Sequence, residues 1–294
     1  MKISDRIREQ QPFVSLEYFP PKERDEWPAF FQVVSRLAQL NPLFASVTYG
    51  AGGSTQEATL EIVSRMQQEY GLETMAHLTC VGAQPERLHR FLDALTAAGV
   101  NNVLALRGDP PKDVPPADVT ESPLLFASDL VSFVRKSHPG LGIGVAAYPE
   151  VHPEAVSPEA DLGYLKLKMD LGGEFAITQL FFDNAHYFDF VARARARGIT
   201  RPIIPGILPV VSLKVIQRII SLCGASLPQA FMAALEEADR SGGTAAVQQV
   251  GIAHARRQAE ELLAGGAPGV HLYTLNRAEA VLEIADGLLP SRPA

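Results

Sequence analysis

Cysteine is nearly absent: Cys80 and Cys223 are the two in 294 residues. They cannot form a disulfide framework, and a four-thiolate zinc or iron–sulfur site is beyond one chain, which points to a reducing compartment. Long apolar runs are missing as well. None approaches the roughly 18 residues of a membrane span. Met1-Lys2-Ile3-Ser4-Asp5-Arg6 mixes charges where a secretory signal would be apolar, so the expected location is the cytoplasm, with no membrane partner. Positive charge is in deficit: 26 Lys and Arg face 33 Asp and Glu, a net charge of -7. That is the wrong sign for gripping a phosphate backbone, so no nucleic-acid partner is expected. No Walker loop occurs either. The nearest approach to a dinucleotide fingerprint, Gly140-Leu141-Gly142-Ile143-Gly144, comes before a strand instead of after one, which disfavours a Rossmann domain.

What is present is an ordinary globular composition, 47% hydrophobic and 20% charged. Short runs of Val, Ile, Leu and Phe alternate with longer stretches of helical period, the pattern of repeated βα units on a parallel sheet. Eight strands are predicted: Phe13–Tyr18, Phe44–Tyr49, Glu73–Thr79, Asn102–Leu106, Gly142–Tyr148, Phe175–Gln179, Pro202–Ile204 and Gly269–Tyr273. Helices are predicted at Glu57–Tyr70, Pro85–Ala98, Ser128–Ser137, Pro158–Leu171 and Asn184–Arg197, with Gly71, Gly99, Gly172 and Gly198 as stops. No Pro/Ser/Gly-rich linker divides the chain, so residues 1–294 read as a single domain. Ser212–Pro268 is too long for one crossover helix and should hold two or three. The proline-rich Pro110–Pro123 is either an exposed spacer or a lid.

Strands buried on both faces should be monotonously apolar, so polar residues at their carboxyl ends are informative; in a closed barrel those ends gather on one rim. Glu17, Thr48, Tyr49, His77, Thr79, Arg107, Asp109, Tyr148, Glu150, His152, Gln179, Asp183, Tyr273, Asn276 and Arg277 recur there. Glu17 lies between Leu16 and the pair Tyr18 and Phe19. An apolar setting predicts a raised pKa and a general acid; a structural anchor bonded to Tyr or Arg is the alternative. Gly50, Gly52 and Gly53 allow close approach of a ligand before a helix N-terminus, although Ser54 and Glu57 also form a capping box. Arg107-Gly108-Asp109 places a cation, a joint and an anion together, suited to a phosphate or a substrate nitrogen, or else to a local ion pair. His77 and Cys80 are three apart, on opposite faces of a continuing strand, which argues against one shared metal ion. Asp161, Lys166 and Lys168 fall on the first turns of a helix. The two lysines are expected to be solvated instead of forming a Schiff base.

Together these residues carry a family resemblance. Val14-Ser15-Leu16-Glu17-Tyr18-Phe19-Pro20-Pro21, Ser46-Val47-Thr48-Tyr49-Gly50, His77-Leu78-Thr79-Cys80 and Ala105-Leu106-Arg107-Gly108-Asp109 match in order. So do Ala146-Ala147-Tyr148-Pro149-Glu150-Val151-His152-Pro153-Glu154, Ile177-Thr178-Gln179, Ile204-Pro205-Gly206-Ile207-Leu208-Pro209 and Tyr273-Thr274-Leu275-Asn276-Arg277-Ala278-Glu279. The sequence resembles methylenetetrahydrofolate reductases of the short bacterial type. The resemblance implies an α/β fold, a single (β/α)8 TIM barrel with extra helices before the last strand. It implies FAD as cofactor and NADH or NADPH as co-substrate in a ping-pong reduction of 5,10-methylenetetrahydrofolate to 5-methyltetrahydrofolate that feeds methionine synthesis. A homo-oligomer is implied too. Carried over by motif, Glu17 is the general acid and Asp109 lies near flavin and pterin. Thr48, Tyr49, Ala51, His77, Arg107, Gly108, Asp109, Ala127, Tyr148, His152, Ala155, Asp161 and Lys168 match flavin contacts. Asp109, Gln179 and Arg277 match substrate contacts. Tyr164 and Leu167 depart from an Asn and an Arg beside the FAD, Val215 from a Gln at the folate, and Ile219 from a stacking Phe, a loss of about 1 kcal/mol. The alternatives are a flavin-independent reductase of the same substrate and a folate- or flavin-binding module without turnover.

Overall fold

A computed structural model describes residues 1–49, 56–109 and 123–289. The elements in chain order are α1 (Ile3–Glu9), β1 (Val14–Tyr18), α2 (Trp27–Ala38), β2 (Ala45–Val47), α3 (Gln56–Tyr70), β3 (Thr74–Thr79), α4 (Pro85–Ala97) and β4 (Asn102–Leu106). Then follow α5 (Ala127–Ser137), β5 (Gly142–Ala147), α6 (Pro158–Asp170), β6 (Phe175–Thr178), α7 (Asn184–Ala196), β7 (Ile203–Ile204), β8 (Gly206–Ile207), α8 (Leu213–Cys223), α9 (Gln229–Ala264), β9 (Val270–Tyr273) and α10 (Ala278–Ala285). All strand pairings are parallel, in the order β7-β6-β5-β4-β3-β2-β1-β9-β8. Because β7 and β8 are consecutive around Pro205, one pairing with β6 and the other with β9, they form a single broken stave and the sheet closes as a (β/α)8 barrel.

Each predicted strand is present, Asn102–Leu106 with the expected bounds and the others shortened by a residue or two at one or both ends. The seventh differs in kind. Proline has no N–H for the ladder, so the stave breaks at Pro205 and resumes as Gly206–Ile207, a piece the apolar pattern does not announce. A Cβ on Gly206 would lie 2.4 Å from the carbonyl oxygen of Thr178, so only glycine lets the stave approach β6 there. The helix stops fall as expected, with positive φ at Gly71, Gly99, Gly172 and Gly198. Ser212–Pro268 holds two helices, the second interrupted at Gly243. The capping pair at Ser54 and nearly all of Pro110–Pro123 lie outside the described residues.

Side chains divide between two faces because strand residues alternate. Leu16, Tyr18, Val47, Ala76, Val103, Val145 and Leu272 face the surrounding helices in the large outer core. Phe13, Phe44, Met75, Leu104, Phe175, Ile177 and Ile204 fill the barrel's amino end, where Ile3 and Ile7 of α1 close the floor with no exposed surface. A third cluster joins Leu180, Phe182, Leu208 and Val210 to α8 and α9. Among the described residues, no helix is long and apolar enough to cross a membrane.

Candidate functional site

Above the apolar floor the barrel interior turns polar. Ser15 and Glu17 on β1 point inward, and β1 pairs with β9 so that Ser15 stands opposite His271. The Ser15 hydroxyl is 2.9 Å from Nδ1 of His271, whose Nε2 reaches Oε2 of Glu17 at 3.5 Å. From β3, Nε2 of His77 lies 3.3 Å from the same oxygen, without the geometry of a hydrogen bond. Thr274 pins the other end of the residue, its hydroxyl donating to the Glu17 carbonyl at 2.7 Å. Glu17, His77 and His271 are all buried.

This corrects the expected charge state of Glu17. Burial by itself raises the carboxyl pKa, but the attraction of His77 and the hydrogen bond and attraction of His271 outweigh it and bring the value down to about 2. The apolar residues beside Glu17 in sequence are not its neighbours in space. Leu16 and Tyr18 face outward, Tyr18 edge-on to Phe30 of α2 with ring centroids 5.9 Å apart. Inward, Glu17 meets imidazoles. The carboxylate is therefore held in its ionised form at neutral pH.

Other predicted residues form a ring on the same end of the barrel. Thr48 donates its amide to the Tyr18 carbonyl at 2.9 Å. Tyr49, pushed up to about 12 by burial, packs on Phe91. Arg107 makes a two-pronged pair with Glu154, one prong at 2.9 Å, which joins the loops after β4 and β5. A Cβ on Gly108, at φ 82, would meet Thr79 at 2.8 Å, so the backbone there sits tight against β3. Tyr148 stands edge-on to His152 at 4.7 Å, and Asp161 accepts from the His152 amide at 3.0 Å. Ala127 opens α5, and Ala155 donates its amide to the His152 carbonyl at 2.9 Å. Asp109 and Arg277 are exposed, and Gln179 folds its side-chain oxygen onto the Leu180 amide at 2.9 Å. Ala51 lies outside the described residues.

The lysines separate. Lys166 is a surface residue paired with Asp170. Lys168 sits in the last turn of α6, not the first, and is not solvated: its ammonium donates to the Ala146 carbonyl at 2.6 Å, and desolvation brings it down to about 8. A desolvated cation with one carbonyl partner suits an anionic group. Tyr164 and Leu167, on the same helix, are 55% and 46% exposed. Among the described residues, no group of three or more His, Cys, Asp or Glu side chains is arranged to hold a metal ion, and Cys80 instead turns its thiol to the Arg107 carbonyl.

Ser15 and His271 escaped the sequence reading. The signal was there: a histidine in the otherwise apolar Val270–Leu272 run, with the inward parity of Tyr273, and a serine two residues before Glu17. Only strand pairing shows that they meet.

Comparison with known proteins agrees with the architecture and the motifs. A family profile described as methylenetetrahydrofolate reductase matches residues 2–288. Methylenetetrahydrofolate reductase (NADH) 1 of Arabidopsis thaliana is 39% identical over 298 residues, covering 97% of this chain and 50% of its own length. The chain thus spans about half the length of the plant relatives it matches. The 5,10-methylenetetrahydrofolate reductase of Escherichia coli (strain K12) is 38% identical over 266 residues, covering 90% of this chain and 87% of its own. A solved structure from Clostridium thermocellum, described as binding two copies of 5-methyl-5,6,7,8-tetrahydrofolic acid, superposes with a TM-score of 0.70 at 16% identity, covering 97% of this chain and 98% of that one. At that identity the likeness is one of fold. The profile match across nearly the whole chain and the bacterial identities place this protein in the methylenetetrahydrofolate reductase family.

Proposed function

We propose that the protein reduces 5,10-methylenetetrahydrofolate to 5-methyltetrahydrofolate with NADH or NADPH, through FAD, in a ping-pong cycle that supplies methyl groups for methionine synthesis. The observation that carries this reading is the buried Glu17 carboxylate between His77 and His271 at the active end of the barrel. Ring opening of the substrate requires a proton on N10 as the bridging carbon leaves it, and the cationic iminium at N5 then accepts a hydride to become the methyl group. Because the carboxyl is held ionised, Glu17 Oε2 serves as a relay, taking a proton from an imidazole nitrogen beside it and passing it to N10. Asp109 offers a second negative charge to the developing cation.

The residues present suit FAD. Lys168 offers a desolvated cation to a diphosphate, and His77 Nε2 is a buried atom without a hydrogen bond. When bound, FAD supplies the relay of hydride from nicotinamide to folate. Thr48, Tyr49, Arg107, Gly108, Asp109, Ala127, Tyr148, His152, Ala155 and Asp161 would hold it with these two, and Gln179 and Arg277 would meet the folate.

Tyr164 and Leu167, exposed where the resemblance places an Asn and an Arg beside the FAD, favour one competing reading, direct hydride transfer without flavin. The visible spectrum of the purified protein separates the two. A yellow protein that NADH or NADPH bleaches anaerobically, and whose colour methylenetetrahydrofolate restores, supports the proposal. A colourless protein that still forms methyltetrahydrofolate moves the reading to direct transfer. Ligand binding without oxidation of nicotinamide refutes both.

A further inference from the structure

Glu150 lies two residues beyond Tyr148 and two before His152, and neither the acid group nor the cation sites use it. Its side chain is 14% exposed. Oε2 accepts from the Ser226 amide at 3.0 Å and from the Ser226 hydroxyl, and Nε2 of His186 on α7 stands 3.6 Å away. Oε1 is buried with no hydrogen-bond partner among the described residues. A carboxylate enclosed with one oxygen unsatisfied is a poor device for stability alone.

Two further features lie at either end of this contact. Val151, the next residue, has φ 82, a conformation that a β-branched residue adopts only when its surroundings enforce it. It is bracketed by the Glu150 bond to Ser226 and the Asp161 bond to the His152 amide. On the other side, Ser226 follows α8 closely, and α8 has a single buried residue, Ile216. Leu213, Ile219 and Ile220 are partly buried against the same apolar cluster as Tyr273 and Leu275, while Val215 and Leu222 are exposed. A helix with so little buried surface opens at low free energy and needs a clasp to stay in register. At its C-terminus, Gly224 comes against Pro153 of the strained loop, where a Cβ would lie 3.1 Å from the proline Cγ.

We propose that Glu150 is a positioning residue: through Ser226 it clasps α8 over the barrel mouth and holds the strained 148–152 turn that carries Tyr148 and His152. The inference rests on the proposed folate reduction, because α8 carries the positions, Val215 and Ile219, that resemble folate and nicotinamide contacts.

The test compares Glu150→Ala, Glu150→Gln and Ser226→Ala in the whole protein. Glu150→Ala should raise the KM for methylenetetrahydrofolate about tenfold while leaving kcat within about threefold. Glu150→Gln, whose amide oxygen still accepts from Ser226, should restore the wild-type KM. Ser226→Ala, which keeps the backbone N–H, should raise KM about threefold, and that effect should vanish when it is combined with Glu150→Ala. Hydrogen exchange without substrate gives a readout independent of activity, and covers the case in which Glu150→Ala is too unstable to assay: amides of 213–223 should exchange faster in Ser226→Ala, and those of α6 should not. Unchanged KM and exchange, or a lower melting temperature with KM unchanged, overturns the clasp. Wild-type protein that does not reduce methylenetetrahydrofolate overturns the functional proposal instead, and the exchange result then decides the clasp by itself.

Discussion

Glu174 and Glu17 are largely buried carboxylates at opposite ends of one barrel, and they are served very differently. Glu174, just before β6 on the floor, receives Lys2 at 2.9 Å, Ser4 at 2.6 Å and Arg135 at 2.8 Å. Burial raises its pKa, but these three hydrogen bonds outweigh that and hold it below the usual carboxylate range. Around it the floor is similarly satisfied: Asn102 bonds the Ile3 amide, the Met1 carbonyl and Glu73. Glu17, at the rim, has two imidazoles at 3.3 and 3.5 Å and no short donor to its side chain. The floor spends its polar groups on one another, and the rim leaves them available. A barrel can keep an under-satisfied end only because the other end and the outer core supply stability.

The largest expected effect sharpens the rim side of this contrast. Glu17→Gln should slow the folate half-reaction about 10²–10⁴-fold while leaving flavin reduction by nicotinamide within about threefold, as stopped-flow absorbance would measure. Equal loss in both half-reactions would remove the acid role. On the floor, Ile7→Ala should lower stability by about 2–5 kcal/mol in urea denaturation and leave kcat unchanged. A substantial change in the folate half-reaction would mean that floor and rim are not separable.

pH compares the two carboxylates directly. Glu17 has its folded pKa depressed from 4.5 to about 2, so its contribution is present in full above 4.5 and is lost as pH falls toward about 2. The stability difference between wild type and Glu17→Gln should therefore shrink over that window by about 3 kcal/mol. Glu174, also depressed, acts with the same sign. The smallest effect is expected for Ser4→Ala, which leaves Lys2 and Arg135 on Glu174 and should cost about 1 kcal/mol with no change in turnover. A loss as large as that of Ile7→Ala would show that the floor network is cooperative.

Much of this architecture was legible in the residues. Short apolar runs between helical periods located the staves, because a strand covered on both faces must be apolar throughout. Positive-φ glycines ended the helices where expected. The broken stave was not legible, since Gly206–Ile207 is too short to show a period and exists only by pairing with β9. Nor was α1 as a plug, because Ile3 and Ile7 among charged residues show which face is apolar but not what it covers. At the site, the strand pattern places Glu17, His77 and Arg107 at strand ends, where the structure has them, but it shows neither the burial of Lys168 nor the downward shift of Glu17.

That reversal marks the division. By itself the sequence determined the repeating α/β plan and the chemistry ranged along its strand ends, and its motifs carried the resemblance to the family, because periodicity and motif are local properties of the chain. Tertiary structure alone decided which polar groups share a space. Closing β1 against β9 and β3 near β1 brings residues 17, 77 and 271 within ion-pair distance, and an electrostatic environment is set by distance through space, not by separation along the chain.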